Sequence, residues 1–288
     1  RLARRLELEG IPSIDLISYR PMRRAVVRAR STEFPDGEVY VKVVQPSVVA
    51  DFTARHNMLN EAGIPAPRCL YSSSDGLVVL SAGRGVSLAT RFAEGLEEDE
   101  SAAVIDNIVT MLDAIPPAAL ELPRRPAWSE RASHYAHAAS VVLPQHANRI
   151  NQLARSVTQG LKSTDAGPLV PTHGDLYEAN LLMSGSEIAT MLDVDSLGPG
   201  RRVDDLACLL AHMSVLPCLA ASSYPHVPAM LPVWAKLCEN YVDPAALRVR
   251  CAGVVLSLIA GARSQTRHDW LQDAECRLAQ AEAGLEAA

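Results

Sequence analysis

The chain has 288 residues, a formal net charge of −6, and 48% hydrophobic and 21% charged residues. This length suffices for one large or two modest domains, and the hydrophobic share can supply sizeable cores. A chain with this acidic balance has no basic surface for nucleic acid, so we expect no nucleic-acid partner.

The first eighty-odd residues have the pattern of short strands with one helix. Apolar residues at helical spacing cover positions 48–62 and stop before Gly63 and Pro65. Runs rich in β-branched residues, separated by turn residues, predict a small antiparallel sheet. The strand-like runs are residues 14–19, 24–30, 38–44, 69–71 and 77–80.

The composition changes after a short, polar, Gly-containing stretch at residues 81–85, which we interpret as a hinge. Ala, Leu and Glu then dominate, with short strands around residues 168–195 and helices to the end of the chain. Asp243-Pro244 predicts a helix start, with Asp as N-cap and Pro at the first helical position. We therefore expect an α+β, bilobal fold: a small N-terminal sheet lobe at residues 1–83 and a larger, mainly helical lobe at residues 84–288.

The six cysteines contain no C-x-x-C pair and most lie in apolar helical surroundings. We expect buried free thiols in a reducing compartment, and hence a cytoplasmic protein. The start of the chain has no signal-peptide pattern. The most apolar stretch, residues 251–262, is too short to cross a bilayer, so no membrane partner is expected. The sequence pattern does not indicate an oligomeric state.

The most informative segment is His173-Gly-Asp175-Leu-Tyr-Glu-Ala-Asn180, which Asp193 follows thirteen residues later. These residue types suit phosphoryl transfer. One carboxylate faces the attacking hydroxyl, while an amide oxygen and a second carboxylate hold magnesium on the nucleotide phosphates. The alternative is a polar turn between two strands, but turn chemistry does not predict a further Asp behind the second apolar run.

Further motifs accompany this segment: Leu192-Asp193-Val194 in a strand pattern, Asp205-Leu206-Ala207 later, and a Gly-Ile-Pro-Ala-Pro turn at residues 63–67. Together they resemble the motifs of the aminoglycoside phosphotransferase and choline kinase group, small-molecule kinases with a protein-kinase-like fold. The resemblance extends from about residue 14 to about residue 207. Val194 departs from it, because an aromatic residue is usual there.

The resemblance implies a catalytic role for Asp175, as the base or as the residue that orients the acceptor hydroxyl. We expect the orienting contribution to be the larger one, because positioning supplies most of the barrier reduction in such reactions. His173 resembles the histidine that braces the catalytic loop, which is structural support. Asp205 is expected to cap the helix that follows it and to tie that helix to the loop.

The resemblance also implies Mg²⁺ ligands. Asn180, through its amide oxygen, and Asp193 match the family positions that hold the metal. Hard oxygen ligands suit magnesium, which keeps its own waters and needs few protein groups. Asp195 is either a contact to a second metal or its water shell, or a solvated residue or turn cap.

Nucleotide-binding residues follow from the same resemblance. Lys42, in the middle of a strand, resembles the lysine that holds the α- and β-phosphates; an edge-strand lysine that blocks pairing is the alternative. Its carboxylate partner would fall at or beside Phe52, where Asp51 is the adjacent candidate. Arg23 lies in a loop that is not Gly-rich and contacts phosphate or is solvated. The hinge residues expected to contact the adenine base of the nucleotide are Leu80, Ser81 and Ala82.

The function implied is an ATP- (or GTP-) and Mg²⁺-dependent O-phosphotransferase. Its acceptor would be a hydroxyl of a small molecule such as an aminoglycoside, another antibiotic, a sugar or an amino alcohol. The alternative is a degraded kinase-like protein that binds nucleotide or a partner without turnover, because the helix carboxylate is missing and the phosphate loop is atypical. Late acidic residues, including Asp273 and Glu275, could line a cationic pocket, although a solvated helix face is the simpler explanation.

Overall fold

The computed structural model describes residues 2–21, 24–34, 36–263 and 269–286. These residues form two compact units. One consists of the chain up to Gly85 together with Ala189–Asp195, and the other of Val86–Ile188 together with the chain from Ser196 onward. The α+β class is confirmed, with an antiparallel sheet at the N-terminus and a helical C-terminal part.

The first unit is built on the sheet that the strand patterns predict. Its strands pair antiparallel in the order β1-β2-β3-β5-β4. One helix of this unit, α2, is preceded by a 3₁₀ turn at Pro46–Val48 and followed by Gly63 with φ 76°, a conformation that favours glycine. The elements are α1 (Leu2–Arg5), β1 (Ser13–Arg20), β2 (Arg24–Arg30), β3 (Glu38–Val43), α2 (Val49–Glu61), β4 (Cys69–Ser72) and β5 (Leu77–Ser81).

Apolar side chains cover both faces of this sheet. Val39 and Val41 pack with Val79 on one face. Val78 and Leu80 pack on the other face, against α2. Because successive side chains of a strand alternate between faces, the residue after Val41 faces α2. This alternation places Lys42 of β3 on the helix side of the sheet.

The second unit is mainly helical, with short strands between its helices. Strand β7 pairs antiparallel with β10, and β6 pairs antiparallel with β8. The elements are β6 (Val86–Ser87), α3 (Leu88–Glu94), α4 (Glu98–Asp113), α5 (Ala132–Val142), α6 (Ala147–Ser163), β7 (Leu169–Thr172), β8 (Leu181–Ser184), β10 (Gly198–Arg201), α7 (Arg202–Ala220), α8 (Val227–Cys238), α9 (Pro244–Ile259) and α10 (Trp270–Glu286). Strand β9 (Glu187–Met191) begins in this unit, and its residues from Ala189 onward belong to the first unit.

Helix α9 is central to the second unit, where it packs against α5, α6, α7 and α10. Its start confirms the predicted cap, because the side chain of Asp243 accepts a hydrogen bond from the Ala246 amide at 2.7 Å and Pro244 is the first helical residue. The apolar core at these contacts includes Leu153, Val157 and Val255. The core fixes the helices that carry the loops described below.

Two helical stretches of the described chain, Arg202–Ser223 and Pro244–Ala262, are long and apolar enough to cross a membrane. Half or more of the apolar window is buried in each, 50% and 61%. Length and composition are therefore weak evidence for a membrane span, because core helices share both. The apolar stretch at residues 251–262 belongs to a longer helix than its sequence indicated.

The cysteines require a correction. Cys218 at the end of α7 and Cys276 in α10 form a disulfide, with 5.7 Å between their Cα atoms, so the expectation of free thiols throughout is wrong for this pair. They are 58 residues apart in sequence and meet because α7 and α10 pack together. In the described chain the free thiols are Cys69, Cys208, Cys238 and Cys251.

Candidate active site

The segment at residues 173–180 connects β7 to β8 in the second unit and begins beside the pairing of Thr172 with Gly198. Gly174 has φ 79°, in the left-handed region that favours glycine. A Cβ at this position would lie 2.6 Å from the carbonyl oxygen of Ser196. The glycine therefore allows the loop to pack directly against the backbone at Ser196.

The carboxylate of Asp205 holds the start of this loop. It accepts hydrogen bonds from the backbone amides of His173 at 3.0 Å and Gly174 at 2.8 Å. The predicted tie between helix α7 and the loop is thus present. The predicted capping role is wrong, because α7 begins at Arg202 without a side-chain cap and both Asp205 oxygens are directed at the loop. Burial raises the pKa of Asp205, against the effect of His173, the two amides and Arg202.

His173 is fully buried, and its Nδ1 accepts a hydrogen bond from the amide of Asp175 at 3.3 Å. Asn180 donates through Nδ2 to the carbonyl oxygen of Asp175 at 2.9 Å. Because a carbonyl only accepts, this bond sets the amide orientation and directs the Asn180 oxygen away from the loop backbone. The two ends of the predicted motif are therefore joined by hydrogen bonds at Asp175.

Two residues at this loop were not predicted. Trp128 donates from Nε1 to Oδ1 of Asp175 at 3.2 Å. Glu178 is 5% exposed, and its Oε2 has no hydrogen-bond partner among the described residues. Burial raises the pKa of Glu178 to about 7, against a hydrogen bond to its own backbone. Glu178 lies inside the predicted motif, where its apolar neighbours could have indicated a buried carboxyl group. Trp128 follows a Pro-rich stretch, and its sequence surroundings did not indicate a contact with Asp175.

A second cluster lies in the first unit, where two cations meet two aspartates. Lys42 Nζ lies 2.9 Å from Asp193 Oδ1 and 3.2 Å from Asp195 Oδ1. Arg24 reaches the same carboxylates, with Nη2 at 3.2 Å from Asp193 Oδ2 and Nη1 at 3.0 Å from Asp195 Oδ2. The structure thus brings together Lys42, Asp193 and Asp195, and adds Arg24 to the predicted set.

The backbone of Asp193 has φ 50°, which is uncommon for a residue other than glycine. Burial would raise the pKa of Asp193, but the charges of Lys42 and Arg24 overcome it and hold this pKa well below its usual range. The pKa of Asp195 is raised, first by burial, which Lys42 opposes, and then by the charge of Asp193. The two carboxyl groups therefore share one pair of cations and differ in acidity.

The predicted partner of Lys42 requires a correction. Asp51 is exposed in the first turn of α2, and the carboxylates at the Lys42 ammonium are those of Asp193 and Asp195. The helix instead presents the ring of Phe52, whose centroid lies 4.7 Å from Lys42 Nζ. One residue along a helix turns the side chain by about 100°, so Phe52 faces the sheet and Asp51 faces solvent.

The other residues predicted to bind nucleotide lie partly in the core and partly at a pocket. Leu80 is buried in the core with Val78 and α2. Ser81 and Ala82 line an open pocket of about 240 Å³ in the first unit, next to Arg68. Ser81 Oγ accepts a hydrogen bond from the Arg68 amide at 2.9 Å. Arg23 lies outside the described residues.

The donor chemistry of the aspartate cluster fits magnesium. Asp193 and Asp195 supply hard carboxylate oxygens on one small surface, and Mg²⁺ uses one or two such groups plus waters and phosphates. Within residues 2–21, 24–34, 36–263 and 269–286, no group of three or more His, Cys, Asp or Glu side chains could hold a metal ion. Convergence of Asp175 and Asn180 with Asp193 around one cation stays a prediction.

Replacement of Asp205 by Asn should loosen the catalytic loop. In the parent protein two backbone N–H groups each have one carboxylate oxygen of Asp205 as acceptor, whereas an Asn side chain has only one oxygen. One N–H group therefore loses its acceptor, which should lower the free energy of unfolding by about 1–3 kcal/mol. Hydrogen exchange at the His173 and Gly174 amides should speed up. Asp113→Asn is the control, because that carboxylate is 65% exposed and pairs with Arg202 at 2.7 Å. Equal exchange in both variants and the parent would contradict the assignment.

Glu178 should give the protein a pH-dependent stability. Its pKa is higher in the folded protein than its ordinary value of 4.5, so the folded protein binds the proton more tightly. The free energy of unfolding should therefore fall as the pH rises from about 4.5 to about 7, by on the order of 2–4 kcal/mol from this group. Chemical denaturation of the parent and of Glu178→Gln, which cannot ionise, checks this. Parallel stability profiles of the two proteins would show that Glu178 is not held protonated.

Comparisons with known proteins were made for both sequence and fold. No curated protein sequence matches the chain. The fold is similar to that of a thermostable mutant of the aminoglycoside phosphotransferase APH(4)-Ia in ternary complex with ADP and hygromycin B (TM-score 0.65, 14% identity, covering 100% of this chain and 97% of that one).

It is also similar to APH(3'')-Id from Streptomyces rimosus with ADP and streptomycin (TM-score 0.57, 21% identity, 89% and 97% covered). A third similar structure is an ethanolamine kinase of Plasmodium vivax (TM-score 0.57, 10% identity, 94% and 82% covered). At such identities the likeness concerns the fold alone, and it confirms the expected kinase-like architecture.

The sequence match to a family is extensive. Residues 27–239 match the family APH, described as a phosphotransferase enzyme family. This range includes every motif on which the resemblance was based and most of the stretch from about residue 14 to about residue 207 over which it was expected to extend, so the expected family is confirmed. The chain belongs to the APH phosphotransferase enzyme family.

Proposed function

We propose that this protein transfers the γ-phosphoryl group of ATP, or of GTP, to a hydroxyl of a small molecule, with Mg²⁺ as cofactor and in the cytoplasm. The observation that carries the proposal is the loop of the second unit, where Asp175 and Asn180 are joined by a hydrogen bond and Asp205 fixes the loop. Membership of a phosphotransferase family supports the reaction type.

The reaction has one bond-forming and one bond-breaking event. The acceptor oxygen forms a bond to the γ-phosphorus while the bond from phosphorus to the β,γ-bridging oxygen breaks, and the nucleoside diphosphate leaves with that electron pair. The acceptor proton passes to the Asp175 carboxylate or to water. Trp128 holds the Asp175 carboxylate, and the His173 ring and the Asn180 side chain hold the Asp175 backbone, so the carboxylate can aim the hydroxyl without losing much rotamer freedom.

The nucleotide is assigned to the first unit. Lys42 and Arg24 offer positive charge that suits the phosphates, and Arg23, the neighbour of Arg24 in sequence, is proposed to contact them as well. Leu80, Ser81 and Ala82 are proposed to contact the adenine or guanine base of the nucleotide. When bound, Mg²⁺ neutralises phosphate charge. Asp193 and Asp195, with Asn180, would hold it, because their oxygens are of the type this ion prefers.

The acceptor class that we propose is wider than the set of compounds named with the similar structures. Two of the similar structures contain hygromycin B or streptomycin, and another is an ethanolamine kinase. These names describe those proteins. For this chain we propose only a hydroxylated small molecule, such as an antibiotic, a sugar or an amino alcohol.

Asp175→Asn tests the proposal most simply. The amide cannot accept the acceptor proton, so acceptor-dependent ADP formation should fall by about 10²–10⁴-fold while nucleotide affinity changes little. A coupled assay for ADP with a panel of alcohols measures this. Asp99→Asn, an exposed position in the first turn of α4, is the matched control and should retain the parent rate. Undiminished transfer by the Asp175 variant would refute the proposal.

A second candidate is a protein that binds nucleotide without turnover. The observation that favours it is the pairing of Lys42 with Asp193 and Asp195. The Asp51 carboxylate on α2 is exposed and is not the group that positions the lysine. A thermal-shift titration with ATP, with and without Mg²⁺, separates the candidates when read beside the ADP assay. Stabilisation by nucleotide without turnover of any alcohol would favour the second candidate.

A further inference from the structure

A small pocket of about 30 Å³, with room for about two water-sized groups, lies beside the catalytic loop, wholly within the second unit. Its walls come from the segment at residues 124–129, from Thr172 and Gly174 at the start of the loop, and from Ser196. The buried pair Asp204 and Arg250 completes it. The pocket is therefore continuous with the loop that carries Asp175.

Two contacts fix the wall at residues 124–129. Trp128 lines the pocket and donates to the Asp175 carboxylate at 3.2 Å. Ser129 is 1% exposed and packs on α9 so closely that a Cβ at Gly253 would lie 2.7 Å from the Ser129 Cβ. A small polar group that enters the pocket would thus lie against a wall that packing holds in place, and Trp128 joins this wall to the Asp175 carboxylate.

The charges of the pocket are unevenly compensated. Arg250 Nε pairs with Asp204 Oδ1 at 3.0 Å, and Arg124 pairs with Glu130 at 2.5 Å. Arg125 donates from Nη1 to the hydroxyl of Ser196 at 3.1 Å, and in the described part of the chain it forms no ion pair. Burial also raises the pKa of Asp204 to about 6, against the effect of Arg250. The pocket therefore has an excess of positive charge at Arg125.

One acidic residue that could have received a cationic acceptor is engaged elsewhere. Asp273 is 2% exposed and pairs with Arg277 at 2.7 Å, in place of the solvated helix face expected for it. Glu275 stays on an exposed helix face, 3.2 Å from His146, and does not line the pocket at residues 124–129.

We propose that the acceptor is an alcohol that also carries an oxyanion, a carboxylate or a phosphate, and that Arg125 binds this group while the hydroxyl faces Asp175. The inference rests on the proposed phosphotransfer. An arginine guanidinium suits both oxyanions because its planar donors match two oxygens at once.

Direct binding tests the charge preference without requiring turnover. Glycerate, glycerol and 3-amino-1,2-propanediol share one carbon skeleton and carry charges of about −1, 0 and +1 at neutral pH, from ordinary carboxyl and amine pKa values. In an NMR titration, glycerate should bind about tenfold or more tightly than the other two, and Arg125→Gln should abolish that preference. Arg155→Gln, at an exposed position of α6, is the control and should leave it intact.

Turnover tests the role of the same residue in the reaction. With an alcohol library sorted by charge, the best acceptors should be anionic. For these, Arg125→Gln should raise KM about tenfold and leave kcat within about threefold, because the contact is remote from the reacting atoms. An anionic sugar phosphate and a hydroxy acid in the library distinguish phosphate from carboxylate.

The outcomes separate the inference from the function beneath it. If neutral or cationic alcohols are preferred and Arg125→Gln changes nothing, the inference is overturned and the phosphotransferase stands. If no alcohol is phosphorylated, the proposed function fails, and the NMR titration alone decides whether the pocket selects oxyanions. Equal binding of the three compounds by the parent protein would overturn the inference in either case.

Discussion

The candidate active site depends on one buried carboxylate. Asp205 is 1% exposed, and a charge in such a place costs several kcal/mol unless it is hydrogen-bonded. The two amides at the start of the catalytic loop supply those bonds. The loop and helix α7 therefore stabilise each other: the helix needs the amides to solvate its aspartate, and the loop needs the aspartate to fix its course. Gly174 is required by the same packing, since a side chain would meet the Ser196 backbone.

The charge cluster of the first unit has a different logic. Lys42 and Arg24 hold Asp193 and Asp195 together, and Asp193 adopts a strained backbone conformation there. In the proposed function the two cations would pair with nucleotide phosphates and the two carboxylates with a metal ion, so both kinds of group would exchange partners. Two of the four ion pairs involve the carboxylate of Asp193 itself.

The sequence predicted those features that local spacing determines. The loop at residues 173–180 and the cap at Asp243 are both determined by short-range spacing, and both were found. Contacts between distant residues were missed. Asp193 lies 151 residues from Lys42, Asp175 lies 47 from Trp128, and Cys276 lies 58 from Cys218. Such pairs depend on how elements pack, and one sequence contains no periodicity that reports it.

The proposed function requires that the loop at Asp175 directs a hydroxyl to the γ-phosphorus of a nucleotide. The most direct measurement is ³¹P NMR of the parent protein incubated with MgATP and a mixture of alcohols. A new phosphomonoester resonance should grow in step with ADP. Growth of inorganic phosphate alone, or no loss of the γ-phosphate signal with every alcohol present, would contradict it.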